Sequence, residues 1–101
     1  MKINFETTLV NLDGTAIVNK VDDKLEVVSL KSVCVNALLG MSDEDKAETG
    51  ISKAARYSLA LQIHKNKELD ITAEEIVMIK ERVGKLYFPL IVGQVFILLN
   101  G

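Results

Sequence analysis

Pro89 is the only proline in this chain of 101 residues, and it stands inside the most apolar stretch, KLYFPLIVGQVFILLNG, from Lys85 to Gly101. Its ring removes an N–H and clashes with the carbonyl four residues back, so one unbroken helix through this region is excluded. A helix arriving from the N-terminal side must end or kink near Phe88, and proline suits the first position of a new one. The arriving helix is strongly marked. In DITAEEIVMIKERVGKLY, Thr72 and Glu75 form a T-x-x-E capping box, and Ile71 and Ile76 take the staple positions. Ile76, Ile79, Val83, Leu86 and Tyr87 keep helical spacing, while Glu74, Lys80, Glu81, Arg82 and Lys85 populate the remaining faces.

The segment after the break carries Leu90, Ile91, Val95, Phe96, Leu98 and Leu99, interrupted only by Gly93 and Gln94. A membrane-spanning helix needs about 20 apolar residues, whereas this run is roughly 14 long with proline and glutamine inside. No membrane anchor is expected; a buried C-terminal helix is. A helix apolar on nearly every face must be covered somewhere, and a chain this short builds one modest core. Leu90, Ile91, Val95, Phe96 and Leu99 are therefore the candidate partner-binding residues, and whichever of them the core leaves exposed would mark the contact surface.

Upstream the period changes. In INFETTLV, Ile3, Phe5, Thr7 and Leu9 alternate with Asn4, Glu6, Thr8 and Val10, as in a half-buried strand. NLDG (Asn11 to Gly14) is turn chemistry, TAIV reads as a second strand, NKVDDK as another turn and LEVV (Leu25 to Val28) as a third strand. Ser29 can cap a helix whose face holds Leu30, Val33, Ala37 and Leu38, with Gly40 as its C′ stop. MSDEDKAETG is acidic and reads as a solvated loop or a short turn, which Ser42 followed by Asp45 could start, with an acidic contact patch as the lesser reading. ISKAARYSLALQIHKN is the next helix, with Ile51, Ala55, Leu59 and Ile63 as its apolar row. The expected fold is a single α+β domain over 1–101. Residues 1–28 form a β-hairpin or small antiparallel meander. Residues 29–101 form about four helices, the last two separated by the proline kink.

Catalytic chemistry is scarce. His64 is the single histidine, beside Lys65 at a helix end, and reads as a solvated side chain rather than a base. Cys34 lies between Val33 and Val35 and reads as a small core residue; one cysteine makes neither an internal disulfide nor a multi-cysteine zinc site. Asp43, Glu44, Asp45 and Glu48 lack the spacing of a calcium loop, and Gly84 and Gly93 belong to no phosphate-binding motif. Lys53, Arg56, Lys65 and Lys67 are offset by neighbouring acids, the net charge is −2, and no aromatic platform accompanies them, so nucleic acid is not the expected partner. The expectations are a non-enzymatic protein with no catalytic residues, no cofactor and no metal, in the reducing cytoplasm, acting on a protein partner, with a homo-oligomer left open.

Two stretches carry a resemblance. LEVVSLKSVCVNALLG fits a pattern S/T-L-x-x-V-x-x-N-A-L-L, and LDITAEEIVMIKERVGKLYFPLIVGQVFILL fits D-[IL]-[ST]-x-E-E-I followed by G-K-x-Y-x-P-L-[IV]-V-G-Q. Together, over residues 1–40 and 69–99, they resemble a group of small, largely uncharacterised proteins encoded by tailed bacteriophages and prophages. Asn36, Glu74, Glu75, Gly84, Tyr87, Pro89, Gly93 and Gln94 fall on the pattern; Phe88 stands where that group often has glycine. The resemblance implies a phage-encoded protein in a bacterial host cell; taken with the missing chemistry and the surplus of apolar surface on the last segment, an accessory of structure or assembly is expected. The other reading it admits is a small inhibitor or modulator of a host protein such as a defence complex. It supplies no catalytic residues.

Overall fold

A computed structural model describes residues 1–100, with the side chains of Val21 and Glu44 outside the description, as is Gly101. The order is β1 (Lys2–Asn4), β2 (Val18–Val21), β3 (Lys24–Val27), α1 (Leu30–Leu39), a 3-10 turn (Asp43–Ala47), α2 (Gly50–Lys65), β4 (Glu68–Asp70), α3 (Ala73–Leu86) and α4 (Pro89–Asn100). This is the α+β fold expected, a β-hairpin followed by four helices, with two separate two-stranded antiparallel sheets.

The strands differ in detail from the expectation. β1 stops at Asn4 and pairs with β4, placing Ile3 opposite Leu69. Strand structure therefore also occurs within the part expected to be helical. The link from α2 to α3 has to run extended into the Thr72 cap, and pairing with β1 satisfies its backbone. Beyond Phe5 the first segment makes only isolated bridges, Thr8 to Ser29 and Val10 to Ala16. The NLDG turn forms, with Gly14 at φ +88 and Asp13 Oδ1 accepting from both the backbone and the hydroxyl of Thr15. The hairpin turn is tighter than NKVDDK suggests. Asn19 and Lys20 belong to β2, and only Asp22 and Asp23 turn, with φ 48 and 62. Positive φ at both central positions matches the twist of the flanking strands. The hairpin lies open: every residue of β3 is exposed.

The core is aliphatic around Phe5. Leu30, Val33, Cys34, Ala37 and Leu38 of α1 meet Leu59, Ala60 and Ile63 of α2, Ile79 and Val83 of α3, and Ile91, Val95 and Leu99 of α4. The capping box on α3 is present: Glu75 N–H donates to Thr72 Oγ1 at 3.1 Å, and Thr72 N–H donates to Glu75 Oε1 at 2.9 Å. Pro89 opens α4 as its first residue. Gln94, the polar interruption in that helix, has a specific partner. Its Nε2 donates to Val10 O at 2.7 Å and its Oε1 accepts from Val10 N–H at 2.8 Å. A side-chain amide offers the same donor and acceptor as a peptide group, so α4 stands in for a neighbouring strand at Val10.

Gly40 serves differently from the expected left-handed stop. Its backbone is extended, φ −70 and ψ 160. A Cβ there would lie 2.8 Å from Leu86 Cδ1 and 3.0 Å from Asn36 O. Close approach, rather than positive φ, is what requires glycine.

Candidate functional site

Two arginines that the sequence pattern assigns to the surface are buried. Arg56 is 4% exposed and Arg82 is 5% exposed. Each sits in the apolar phase of its helix. Arg56 shares the face of Leu59, Ala60 and Ile63, and Arg82 the face of Ile79, Val83 and Leu86. This rotates α2 away from the expected row: Leu59 and Ile63 are buried, but Ile51 and Ala55 are exposed.

Both guanidinium groups converge on the C-terminal end of α1. Arg56 Nη1 donates to Leu38 O at 3.0 Å and Gly40 O at 2.9 Å. Arg82 Nε donates to Ala37 O at 3.2 Å, and its Nη2 to Gly40 O at 2.9 Å. The last carbonyls of a helix lack intrahelical donors and carry its negative pole, so two cations there satisfy both needs.

The supposedly solvated acidic loop supplies the counter-ions, which corrects the reading of residues 42–48. Arg82 pairs with Asp45 through both oxygens, at 2.6 and 2.9 Å. Arg56 pairs with Glu48 at 2.6 Å. Asp45 Oδ2 also accepts from Ser42 N–H at 2.7 Å, and Glu48 Oε2 from Ser52 Oγ at 2.6 Å. The Arg82 hydrogen bonds, helped by the Ser42 backbone, hold the Asp45 carboxyl well below the usual range. The Ser52 hydroxyl and then Arg56 lower Glu48 in the same direction. A signal for this clamp existed in the sequence: two arginines in phase with apolar rows, and two carboxylates three residues apart in the short segment between α1 and α2.

The clamp fixes α1 against α2, and between these helices runs a shallow groove of about 300 Å³. Val35 and Leu39 of α1 face Tyr57, Ala60, Leu61 and His64 of α2 across it. Leu39 is 53% exposed and Tyr57 is 58% exposed, so the groove presents apolar surface to solvent.

The residues nominated on α4 lie elsewhere. Ile91, Val95 and Leu99 are core residues at 3%, 0% and 1% exposure, and buried side chains present no docking face. Leu90 and Phe96 are half-buried. The Lys80 ammonium stands 5.4 Å from the centre of the Phe96 ring and also donates to Asn100 Oδ1. The open apolar positions near this helix are Phe88 and Ile97. The reason is periodicity: Ile91, Val95 and Leu99 recur every fourth residue and take the single face that α4 turns to the core. Apolar surface is also left open on the N-terminal turn and hairpin, at Leu12, Val18, Leu25 and Val27, and on the α1/α2 groove, at Leu39, Tyr57 and Leu61, where no partner was expected.

Cys34 is fully buried, and burial pushes its thiol up to about 12. It is held neutral, unlike a thiolate nucleophile. His64 is exposed at the end of the groove, and its carbonyl accepts from Lys31 Nζ at 3.3 Å. Among the described residues no group of three or more His, Cys, Asp or Glu side chains could hold a metal ion, and no helix is long and apolar enough to cross a membrane. Comparison with protein-family models, with curated proteins and with solved structures finds no match.

Proposed function

We propose that this is a non-enzymatic, phage-encoded protein that acts through protein–protein contacts in the cytoplasm of the bacterial host, as an accessory of structure or assembly. The observation that carries the reading is the α1/α2 groove. Leu39, Tyr57 and Leu61 hold apolar side chains in solvent beside a clamp that keeps both helices rigid. A contiguous apolar surface on a small protein marks a place where another molecule binds, and a preorganised one loses little entropy on binding. The phage setting rests on the resemblance of residues 1–40 and 69–99.

The test is affinity capture from phage-infected cells with the unaltered chain and with Leu61→Asp. Leu61 is exposed, so a charge there leaves the fold intact, as circular dichroism would verify. Virion components retained by the unaltered chain and lost with Leu61→Asp support the assembly reading. A host complex retained in the same way replaces it with inhibition of a host protein. Identical capture by both forms overturns the groove as the contact surface.

A further inference from the structure

One side of β3 is open. Asp22 and Asp23 make a two-residue turn, so Val21 and Lys24 form a hydrogen-bonded pair, and Asn19 and Glu26 the next. Val28 N–H continues the alternation by donating to Ile17 O. The N–H and C=O groups of Leu25 and Val27 therefore point away from β2. Among the described residues β2 is the only strand that pairs with β3, and no hydrogen bond reaches those four groups. An open strand edge is a template for a further strand, and a two-stranded hairpin by itself is marginal in water. Leu25 is 73% exposed, on the face that also carries the exposed Val18 and Val27.

The charges on β3 select what can pair there. Lys24 and Glu26 are exposed, and neither forms an ion pair among the described residues. In an antiparallel copy centred on Leu25, the Leu25 N–H of each strand donates to the Leu25 C=O of the other. The same register sets Lys24 opposite Glu26 twice, as directly opposed cross-strand neighbours on one face, where opposite charges attract. The neighbouring registers fail. Centring on Glu26 opposes two glutamates. Centring on Val27 demands the backbone of Ser29, whose N–H is held by Ser32 Oγ and whose C=O accepts from Val33 N–H in the α1 cap. The other strands lack this self-complementarity: β4 would set Glu68 against Asp70, and β1 and β2 hold no acid to meet Lys2 and Lys20.

We propose that β3 pairs antiparallel with β3 of a second copy of this chain, centred on Leu25, so that the two hairpins form one four-stranded sheet across a two-fold axis. The contact joins the same surface of both molecules and therefore closes at a dimer. It uses no residue of the α1/α2 groove. A contact of one short strand is well below the usual size of a stable interface, so the dimer is weak, forms at high protein concentration and loosens with salt.

Sedimentation velocity and amide hydrogen exchange on the full chain, followed against concentration at low ionic strength, test this. The expected result is a weight-average sedimentation coefficient that rises from monomer toward dimer and no further. As it rises, the Leu25 and Val27 amides gain protection, while those of Lys24 and Glu26, already bonded to β2, change less. Leu25→Pro removes the central donor from an open edge, where proline is tolerated, and abolishes the dimer. Lys24→Glu and Glu26→Lys each set like charges opposite and are monomeric alone. Their equimolar mixture dimerises, because every opposed pair is again opposite in sign. All three positions are exposed, and circular dichroism verifies the fold of the variants. Monomer at every concentration up to about 1 mM overturns the proposal, as do growth beyond a dimer, association that Leu25→Pro leaves unchanged, or a mixture that stays monomeric. A monomeric chain whose capture of virion components is lost with Leu25→Pro also overturns it and gives the edge to a strand of another protein.

Discussion

Replacing Arg82 with methionine keeps most of the aliphatic stem and removes only the guanidinium. Four hydrogen bonds are lost, two to the carboxylate of Asp45 and one each to Ala37 O and Gly40 O. Gly40 O keeps the bond from Arg56, so the Ala37 carbonyl is orphaned and the buried Asp45 carboxylate loses its counter-charge, keeping only its bonds from Ser42. An unpartnered buried carbonyl costs about 1–3 kcal/mol, and breaking a buried ion pair by removing one partner costs about 3–5 kcal/mol in total. With a urea slope of about 1.5 kcal/mol per molar, typical of small domains, the midpoint should fall by about 2 M or more. That is a large part of the roughly 5–15 kcal/mol expected for the whole domain. Urea unfolding followed by circular dichroism measures it. Adding Asp45→Leu to Arg82→Met should recover most of the loss, because it removes the stranded charge. A cost below about 1 kcal/mol for Arg82→Met, as for an exposed pair, would refute the idea that the clamp is dry and structural.

Acid should weaken the fold through the same clamp. Asp45 and Glu48 both have depressed folded-state values, so their stabilisation is complete above the ordinary carboxylate range and is lost as pH falls below about 4; a urea midpoint that does not drop between pH 7 and pH 3 contradicts this. Gln94→Met strips Val10 of both backbone partners and should cost about 1–2 kcal/mol, read by the same unfolding curve. Gly14→Ala forces a side chain into φ +88 and should cost about 1–2 kcal/mol, although no neighbour clashes. Cys34 should resist a thiol reagent in the native state and react at once in denaturant; rapid native reaction would show that α1 opens readily.

What was legible in the sequence follows from locality. The Thr72–Glu75 box, the Pro89 start of α4 and the apolar face of α1 depend on residues a few positions apart, and each appears where its spacing puts it. The clamp joins Arg82 to Asp45 and Ala37, and although Arg82 stands in phase with an apolar row, nothing local names the distant partners that let it turn inward. Arg56 was misplaced for the same reason: Ile51 and Ala55 made an equally good helical row, and only a partner at Glu48 makes burial of the arginine tolerable. β4 escaped notice because three residues paired across most of the chain leave no alternation to detect. On α4 the apolar residues outnumber the positions the core can take, so composition could not say which of Leu90, Ile91, Val95, Phe96 and Leu99 turn inward.

The Gln94 contact also bears on the order of events during synthesis. The backbone of Val10 leaves the ribosome early, yet the amide that satisfies it lies 84 residues later. β1 likewise waits for Glu68–Asp70. These two contacts therefore stay open for most of translation, while Leu9 can already pair with Ile17 and Val28, and α1 and α2 can form and pack. Closing so long a loop is slow but, once closed, joins the earliest-made and latest-made parts of the fold. Ribosome-bound chains arrested before residue 94 should show Val10 unprotected from hydrogen exchange, and those arrested well beyond it should show it protected.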